Sequence, residues 1–181
     1  GNEKCGSIFL KRMIERKEYM KVKTGKVVII PIANKCGYKE NKRHSENEDI
    51  NRHFPSVPGV EKTEHPIAQL ILKYVVEADF IVDIHEGHDY HLKNRNSIGS
   101  TISTGGTELS RRKAEKIVGK LNEGIADEEK KFSVLEHSKN SKYYYENLII
   151  KGTLDYYCYL NGKEYLLLEI TGQNSGHEME N

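Results

Sequence analysis

Short apolar runs that alternate with amphipathic segments constrain the fold of this chain more than any other feature. KVVIIPI at residues 26–32 and YLLLEI at 165–170 are continuously apolar, which is typical of strands buried on both faces. The predicted strands are residues 26–32, 80–84, 97–103 and 165–170. The predicted helices, from apolar residues at helical spacing, are residues 8–14, 65–76, 108–122 and 152–160. This order predicts an α/β fold with a mostly parallel or mixed central sheet and helices on both faces, where ligands bind at the carboxyl ends of strands.

Length and composition limit the classes of protein to which the chain can belong. We expect the 181 residues to form one domain. Lys and Arg number 28 against 27 Asp and Glu, so charge gives no reason to expect a nucleic-acid partner. The three cysteines show no CxxC spacing, and we interpret them as reduced. No apolar run reaches the roughly 18 residues of a membrane span, and no signal peptide opens the sequence, so we expect a soluble cytoplasmic protein.

The tetrapeptide DIHE at residues 83–86 ends a predicted buried strand, where such folds place their sites. The imidazole of His85 could bind zinc, or it could be a hydrogen-bonded histidine of the core. His88 and His91 follow at steps of three residues, so the group of His85, His88 and His91 is a second candidate for a metal site. The string HEGH lacks the spacing of HExxH, which excludes a zincin helix.

The heptapeptide DINRHFP at residues 49–55 combines an amide donor, Asn51, with the guanidinium of Arg52. An arginine side chain matches a carboxylate with two parallel hydrogen bonds, so anion recognition is one interpretation. The other is a surface turn with a solvated arginine. Arg43, in the charged segment NKRHSENED, is by itself explained as part of a solvated surface.

Glu169 follows the apolar residues 165–168, so its carboxylate emerges from a buried strand and should have a perturbed pKa. Such a carboxylate is a candidate general base. The alternative is a strand-end carboxylate that faces water or caps a neighbouring element.

Taken together, these motifs follow a known order. GNE at residues 1–3, DINRHFP at 49–55, DIHE at 83–86 and Glu169 follow the pattern HGNE, DLNRxFPG, DLHE and a late Glu. The chain therefore resembles the succinylglutamate desuccinylase and aspartoacylase branch of the zinc metallocarboxypeptidase superfamily over almost its full length. The resemblance implies a zinc carboxypeptidase-like fold, with residues 1–181 as a single catalytic domain.

The resemblance also assigns a cofactor and its ligands. It implies a catalytic Zn²⁺ held by Glu3 and His85, with Asp83 and Glu86 orienting His85. The histidine of HxxE falls on the position immediately before Gly1, so we expect the domain to be truncated at its N-terminus. Ser56 stands where the pattern has Gly after FP, a departure that we expect the site to tolerate.

The implied chemistry is zinc-assisted attack of water on an amide carbonyl. Glu169 would take the proton of the water and pass it to the leaving amine. Asn51 and Arg52 would bind a substrate carboxylate, and Arg43 would stabilise the oxyanion.

Three functions stay open on this basis. The first is deacylation of an N-acyl amino acid, and the second is carboxypeptidase action on a short peptide or cell-wall peptide. The third is a non-catalytic module that binds an anion without zinc. The partner expected for an enzyme is a small molecule or short peptide rather than a nucleic acid or a membrane.

Overall fold

The central sheet has four strands in the order β1-β4-β2-β3 in a computed structural model that describes residues 2–44 and 48–173. The strands are β1 (Ile81–His88), β2 (Thr101–Thr104), β3 (Ser133–Glu136) and β4 (Tyr165–Gln173). β1 and β4 are parallel, β2 and β3 are parallel, and β2 runs antiparallel to β4. The mixed sheet with its helices confirms the predicted α/β class.

Five α-helices accompany the sheet within the described residues. They are α1 (Cys5–Glu15), α2 (Lys35–Glu40), α3 (Pro66–Glu77), α4 (Glu108–Asn122) and α5 (Leu154–Leu160). Side chains cap the starts of α3, α4 and α5, which contribute to the two core clusters: His65 accepts from the backbone of Ala68, Thr107 from Ser110 and Thr153 from Tyr156. None of the described helices is both long and apolar enough to cross a membrane.

The alternation of side chains along β4 divides the core into two layers. Tyr165 and Leu167 face a cluster that includes Leu72 of α3 and Tyr157 of α5. Leu166 faces the opposite cluster with residues of α4, β2 and β3. Successive strand residues point to opposite faces, so Glu169 continues the face of Leu167. The middle of β4 therefore carries a carboxylate on the side that α3 and α5 cover.

The prediction of a buried strand at residues 26–32 is wrong. These residues form neither a strand nor a helix, and Val27 and Val28 are 47% and 45% exposed. A strand buried on both faces needs neighbouring strands to satisfy its backbone groups. Within the described residues β1 pairs with β4 alone, and the apolar run has no partner in the sheet.

The strands β2 and β3 also differ from the predictions. The strand expected at residues 97–103 is limited to Thr101–Thr104, because Ser97 and the residues around it make turn hydrogen bonds to the segment after β1. The strand Ser133–Glu136 was not predicted, since four residues with two polar ones give no clear period.

Candidate active site

The site lies on one face of the parallel strands β1 and β4, three or four residues before each strand ends. In the register of this pair, Asp83 is opposite Leu167 and His85 is opposite Glu169. Ile81 packs against the cluster of α3 and α5, and side chains alternate along a strand, so Asp83 and His85 share that face. The predicted motif and the late glutamate are thus brought together by one strand pairing.

Glu3 meets His85 directly in front of β1. Its Oε2 lies 2.8 Å from Nδ1 of His85 and accepts a hydrogen bond of 3.1 Å from the backbone N–H of Glu86. Burial raises the pKa of Glu3, but hydrogen bonding to His85 and the positive charges of His85 and Arg43 outweigh it, so the pKa falls below 4.5. Glu3 is therefore an ionised, fixed carboxylate beside an imidazole nitrogen.

The second nitrogen of His85 faces another carboxylate. Nε2 lies 3.3 Å from Oδ2 of Asp83, which also accepts a hydrogen bond of 3.0 Å from the hydroxyl of Tyr165. Burial lowers the pKa of His85, but Asp83 and Glu3 raise it well above 6.5. Asp83 thus orients the ring so that Nδ1 points at Glu3, the arrangement in which carboxylates hold metal-binding imidazoles.

Arg43 links Glu3 to the loop that holds the NR dipeptide. Its Nη1 donates to Oε1 of Glu3 at 2.6 Å, and its Nε donates to Oδ2 of Asp49 at 2.9 Å. Asp49 in turn accepts from the backbone N–H of Asn51 at 3.0 Å. The structure therefore places Arg43 between two carboxylates, where it fixes Glu3.

Glu169 is almost fully buried beside this group, with 6% of its surface exposed. Burial raises the pKa of Glu169 to about 8; the charges of Glu3 and Asp83 add to the rise, and that of His85 opposes it. Gly87 leaves room for the carboxylate, because a Cβ at that position would lie 3.3 Å from Oε2 of Glu169. A buried carboxyl whose pKa lies close to neutral pH can both take up and release a proton, which suits proton transfer.

The side chain of Glu86 caps α1, and in the described part of the chain it makes no hydrogen bond to His85. Its Oε1 accepts from the backbone N–H groups of Lys4 and Cys5 at the start of that helix. Gly6 lets α1 approach β1 closely, since a Cβ there would lie 3.0 Å from Cβ of Ile84. These contacts hold the segment that carries Glu3 against β1.

Asn51 and Arg52 lie on a short 3-10 turn, Ile50–Arg52, and have different surroundings. Oδ1 of Asn51 accepts from the backbone N–H of Leu154 at 2.9 Å, so this side chain helps to hold the start of α5. Arg52 donates to the backbone oxygen of Asn51 at 2.6 Å, and 43% of its side chain is exposed. Of the two, Arg52 presents a charged group to solvent.

Ser56, where the family pattern has glycine, accepts a hydrogen bond of 2.8 Å from the backbone N–H of Gly152. The backbone N–H of Phe54 donates to the oxygen of the same Gly152 at 2.9 Å. Serine in place of glycine at position 56 therefore adds a hydrogen bond between the loop that follows Arg52 and the segment that leads into α5.

Two histidine groups remain. His91 is buried and hydrogen-bonded through Nδ1 to the backbone oxygen of Ser97 at 2.7 Å, and the described residues do not bring it together with His85 and His88 as metal ligands.

A group that the sequence did not predict is Glu48, His53 and His65, whose ligand atoms lie within 4.8 Å of one another. These residues are 5 and 12 positions apart and form no recognisable motif.

The fold and the site define an α/β protein with a partly buried imidazole and three carboxylates grouped against two parallel strands. The family model of the succinylglutamate desuccinylase/aspartoacylase catalytic domain matches residues 1–93 of 181, and the chain belongs to this family of amide hydrolases. The matched region includes Glu3, Arg43 and His85, whereas Glu169 lies beyond it. No curated protein and no solved structure matches the chain.

Proposed function

We propose that this protein is a zinc-dependent amide hydrolase that removes the acyl group from an N-acyl amino acid. The observation that carries the proposal is the 2.8 Å approach of Glu3 Oε2 and His85 Nδ1, with Glu169 opposite His85 on the neighbouring strand. Membership of an amide-hydrolase family supports the reaction class.

The donor set fits zinc. Carboxylate oxygen and imidazole nitrogen are common zinc ligands, and here the two atoms lie 2.8 Å apart, so that a small separation of the side chains would admit an ion between them. Asp83 holds the far nitrogen of His85, and Arg43 holds the far oxygen of Glu3. Glu3 and His85 would hold the ion, and the family pattern puts a third ligand, a histidine, at the position before Gly1. A zinc ion there supplies Lewis-acid chemistry: it polarises an amide carbonyl and acidifies water.

Glu169 is the proposed general base. Its carboxylate is buried and lies on the same face of the sheet as His85, its register partner in the β1 and β4 pair. From there it can take a proton from an attacking water and return it to the leaving amine nitrogen, as one positioned carboxyl commonly does.

Arg52 and Asn51 are the proposed contacts to the carboxylate of the substrate. The guanidinium of Arg52 is partly exposed next to Asp49, which ties this turn to Arg43 and so to Glu3. Asn51 uses its Oδ1 to hold α5, which leaves its amide nitrogen as the donor for an anion. Nη2 is the nitrogen of Arg43 that would reach an oxyanion, because Nη1 and Nε bind Glu3 and Asp49.

The test is made on a chain that has histidine immediately before Gly1. We expect zinc to copurify and N-succinyl or N-acetyl amino acids to be hydrolysed faster than dipeptides. His85→Gln should reduce both zinc content and turnover, while the matched change His88→Gln, at an exposed position on the same strand, should spare both.

The outcomes separate the three functions. Preference for peptides with a free carboxyl terminus would favour a carboxypeptidase. Anion binding without zinc and without hydrolysis would leave the non-catalytic module as the function and would contradict the proposal.

A further inference from the structure

Glu48, His53 and His65 form a compact group outside the Glu3 and His85 pair. Oε2 of Glu48 lies 3.9 Å from Nε2 of His53 and 3.5 Å from Nε2 of His65. The two rings are 4.6 Å apart between centroids and tilted by 35°. Three ligand atoms therefore converge from one carboxylate and two imidazoles. We infer that this group is a second metal site, which binds a divalent ion of the zinc class.

The distances are close to those that a bound ion would impose. Zinc in a tetrahedral site lies about 2.0–2.2 Å from nitrogen and oxygen ligands, which puts those ligands roughly 3.3–3.5 Å apart. The separation of Glu48 and His65 already has this value, and that of Glu48 and His53 is a few tenths of an ångström larger. A small rotation of Glu48, whose side chain is 57% exposed, closes the difference.

The backbone of both histidines is fixed before any ion binds. His53 lies next to the buried Phe54, and its backbone oxygen accepts a hydrogen bond of 2.5 Å from the hydroxyl of Thr63. His65 caps α3 and has a largely buried side chain, 10% exposed. The backbone at two of the three ligands thus needs no ordering on binding, which lowers the entropic cost of forming the site.

The donor chemistry also selects the ion. Two imidazoles and one carboxylate suit zinc and its neighbours Co²⁺, Ni²⁺ and Cu²⁺, whereas Mg²⁺ and Ca²⁺ prefer oxygen ligands. Glu48 is partly exposed, so a fourth position open to water fits the same surface.

Metal binding at His65 would remove a hydrogen bond at the start of α3, and this loss can be detected by NMR. Nδ1 of His65 accepts a hydrogen bond of 3.3 Å from the backbone N–H of Ala68, so a neutral ring carries its proton on Nε2. An ion on Nε2 moves that proton to Nδ1, and Ala68 then loses its acceptor. Metal binding should therefore shift the amide resonance of Ala68 and the ring nitrogen resonances of His65.

The experiment is zinc titration against a competing chelator, in the chain with His85→Gln, so that the Glu3 and His85 pair does not contribute. We expect one zinc per chain, and at least about tenfold weaker binding after Glu48→Gln, His53→Gln or His65→Asn. Asparagine also caps helices, so His65→Asn removes the ligand while it keeps the start of α3. Glu64→Gln, which changes an exposed carboxylate next to His65, is the matched control and should leave affinity unchanged.

The titration is repeated with His85 intact, because His85→Gln could itself impair folding. In that chain, each of the changes at Glu48, His53 and His65 should lower the number of zinc ions bound per chain by one. Binding that is indifferent to all three changes, or no zinc in the chain with His85→Gln despite a cooperative thermal transition, would overturn the inference. Zinc that depends on Glu48, His53 and His65 but not on His85 would support this site and contradict the proposed catalytic one.

Discussion

His85 and Glu169 are register partners on the parallel strands β1 and β4, and both lie on the face of the sheet that α3 and α5 cover. This one pairing joins a motif near the middle of the chain to a glutamate 84 positions later. In the proposed mechanism the imidazole of His85 would hold zinc and the carboxylate of Glu169 would move a proton. We therefore expect separate substitutions of the two residues to remove zinc binding and proton transfer separately.

Glu169→Gln should lower kcat by on the order of 10²–10⁴-fold, the usual contribution of a positioned acid or base. The amide keeps the size of the carboxyl but neither takes nor returns a proton at the working pH. Zinc content should stay at the parent value, because Glu169 is not a proposed ligand. Glu146→Gln, at an exposed position, is the control. Parent-like turnover in Glu169→Gln, with folding intact, would assign the base elsewhere.

Arg52→Lys should weaken substrates that carry a carboxylate by about 1–3 kcal/mol, because lysine cannot form the two parallel hydrogen bonds of a guanidinium. The comparison is kcat/KM for an N-acyl amino acid and for its uncharged amide. The loss should be confined to the acid. Arg112→Lys, at a side chain 72% exposed on α4, should change neither value. Equal losses on acid and amide would remove Arg52 from carboxylate recognition.

The sequence predicted the helix Glu108–Asn122 to the residue, because apolar residues recur at helical spacing along this long segment. The sequence also predicted that His85 and Glu169 lie near each other, because both follow buried strands of an α/β sheet, and the parallel pairing of β1 and β4 makes them register partners. The prediction of a strand at residues 26–32 was wrong because the burial of an apolar run depends on neighbouring strands, which the run itself does not specify.

The sequence could not assign two features of the site. Arg43 is joined to Glu3 across 40 positions by side-chain geometry alone, and its surroundings in the sequence are those of a solvated segment. His65 was predicted only as the start of a helix, and its approach to Glu48 depends on the path of the intervening loop. The contact of Arg43 with Glu3 and that of His65 with Glu48 both join side chains from separate segments, and no periodic pattern in the sequence predicts such contacts.

Arg43→Gln should weaken zinc binding by roughly 10–100-fold, the usual effect of losing a group that holds a metal ligand in place. Glutamine removes the charge that fixes Oε1 of Glu3 and the bond to Asp49. Zinc affinity is measured by chelator competition, with Arg112→Gln as the control. A loss of kcat at unchanged zinc affinity would contradict this role in holding Glu3 and leave Arg43 with the oxyanion role alone.

A second buried pair gives the fold its own dependence on pH. His137 and Asp155 are 1% and 5% exposed, and Nε2 of the histidine lies 3.2 Å from Oδ2 of the aspartate. The ring also stacks on Tyr159, with 4.7 Å between centroids. Burial lowers the pKa of His137, but the interaction with Asp155 outweighs it and raises the pKa above 6.5.

A histidine whose pKa is higher in the folded state stabilises the fold most when it is protonated in both states. The contribution is therefore fully present below the unfolded pKa of about 6.5 and is lost as pH rises through the raised pKa of the folded protein. His137→Gln should lower the free energy of unfolding most in acid, and the difference from the parent should shrink as pH rises above about 6.5. Urea unfolding of both proteins across this range measures that difference, which cancels titrations common to both, including that of Glu169. Asp155→Asn removes the carboxylate instead of the ring and should give the same trend. A difference between parent and His137→Gln that does not change with pH would show that the ring contributes packing alone.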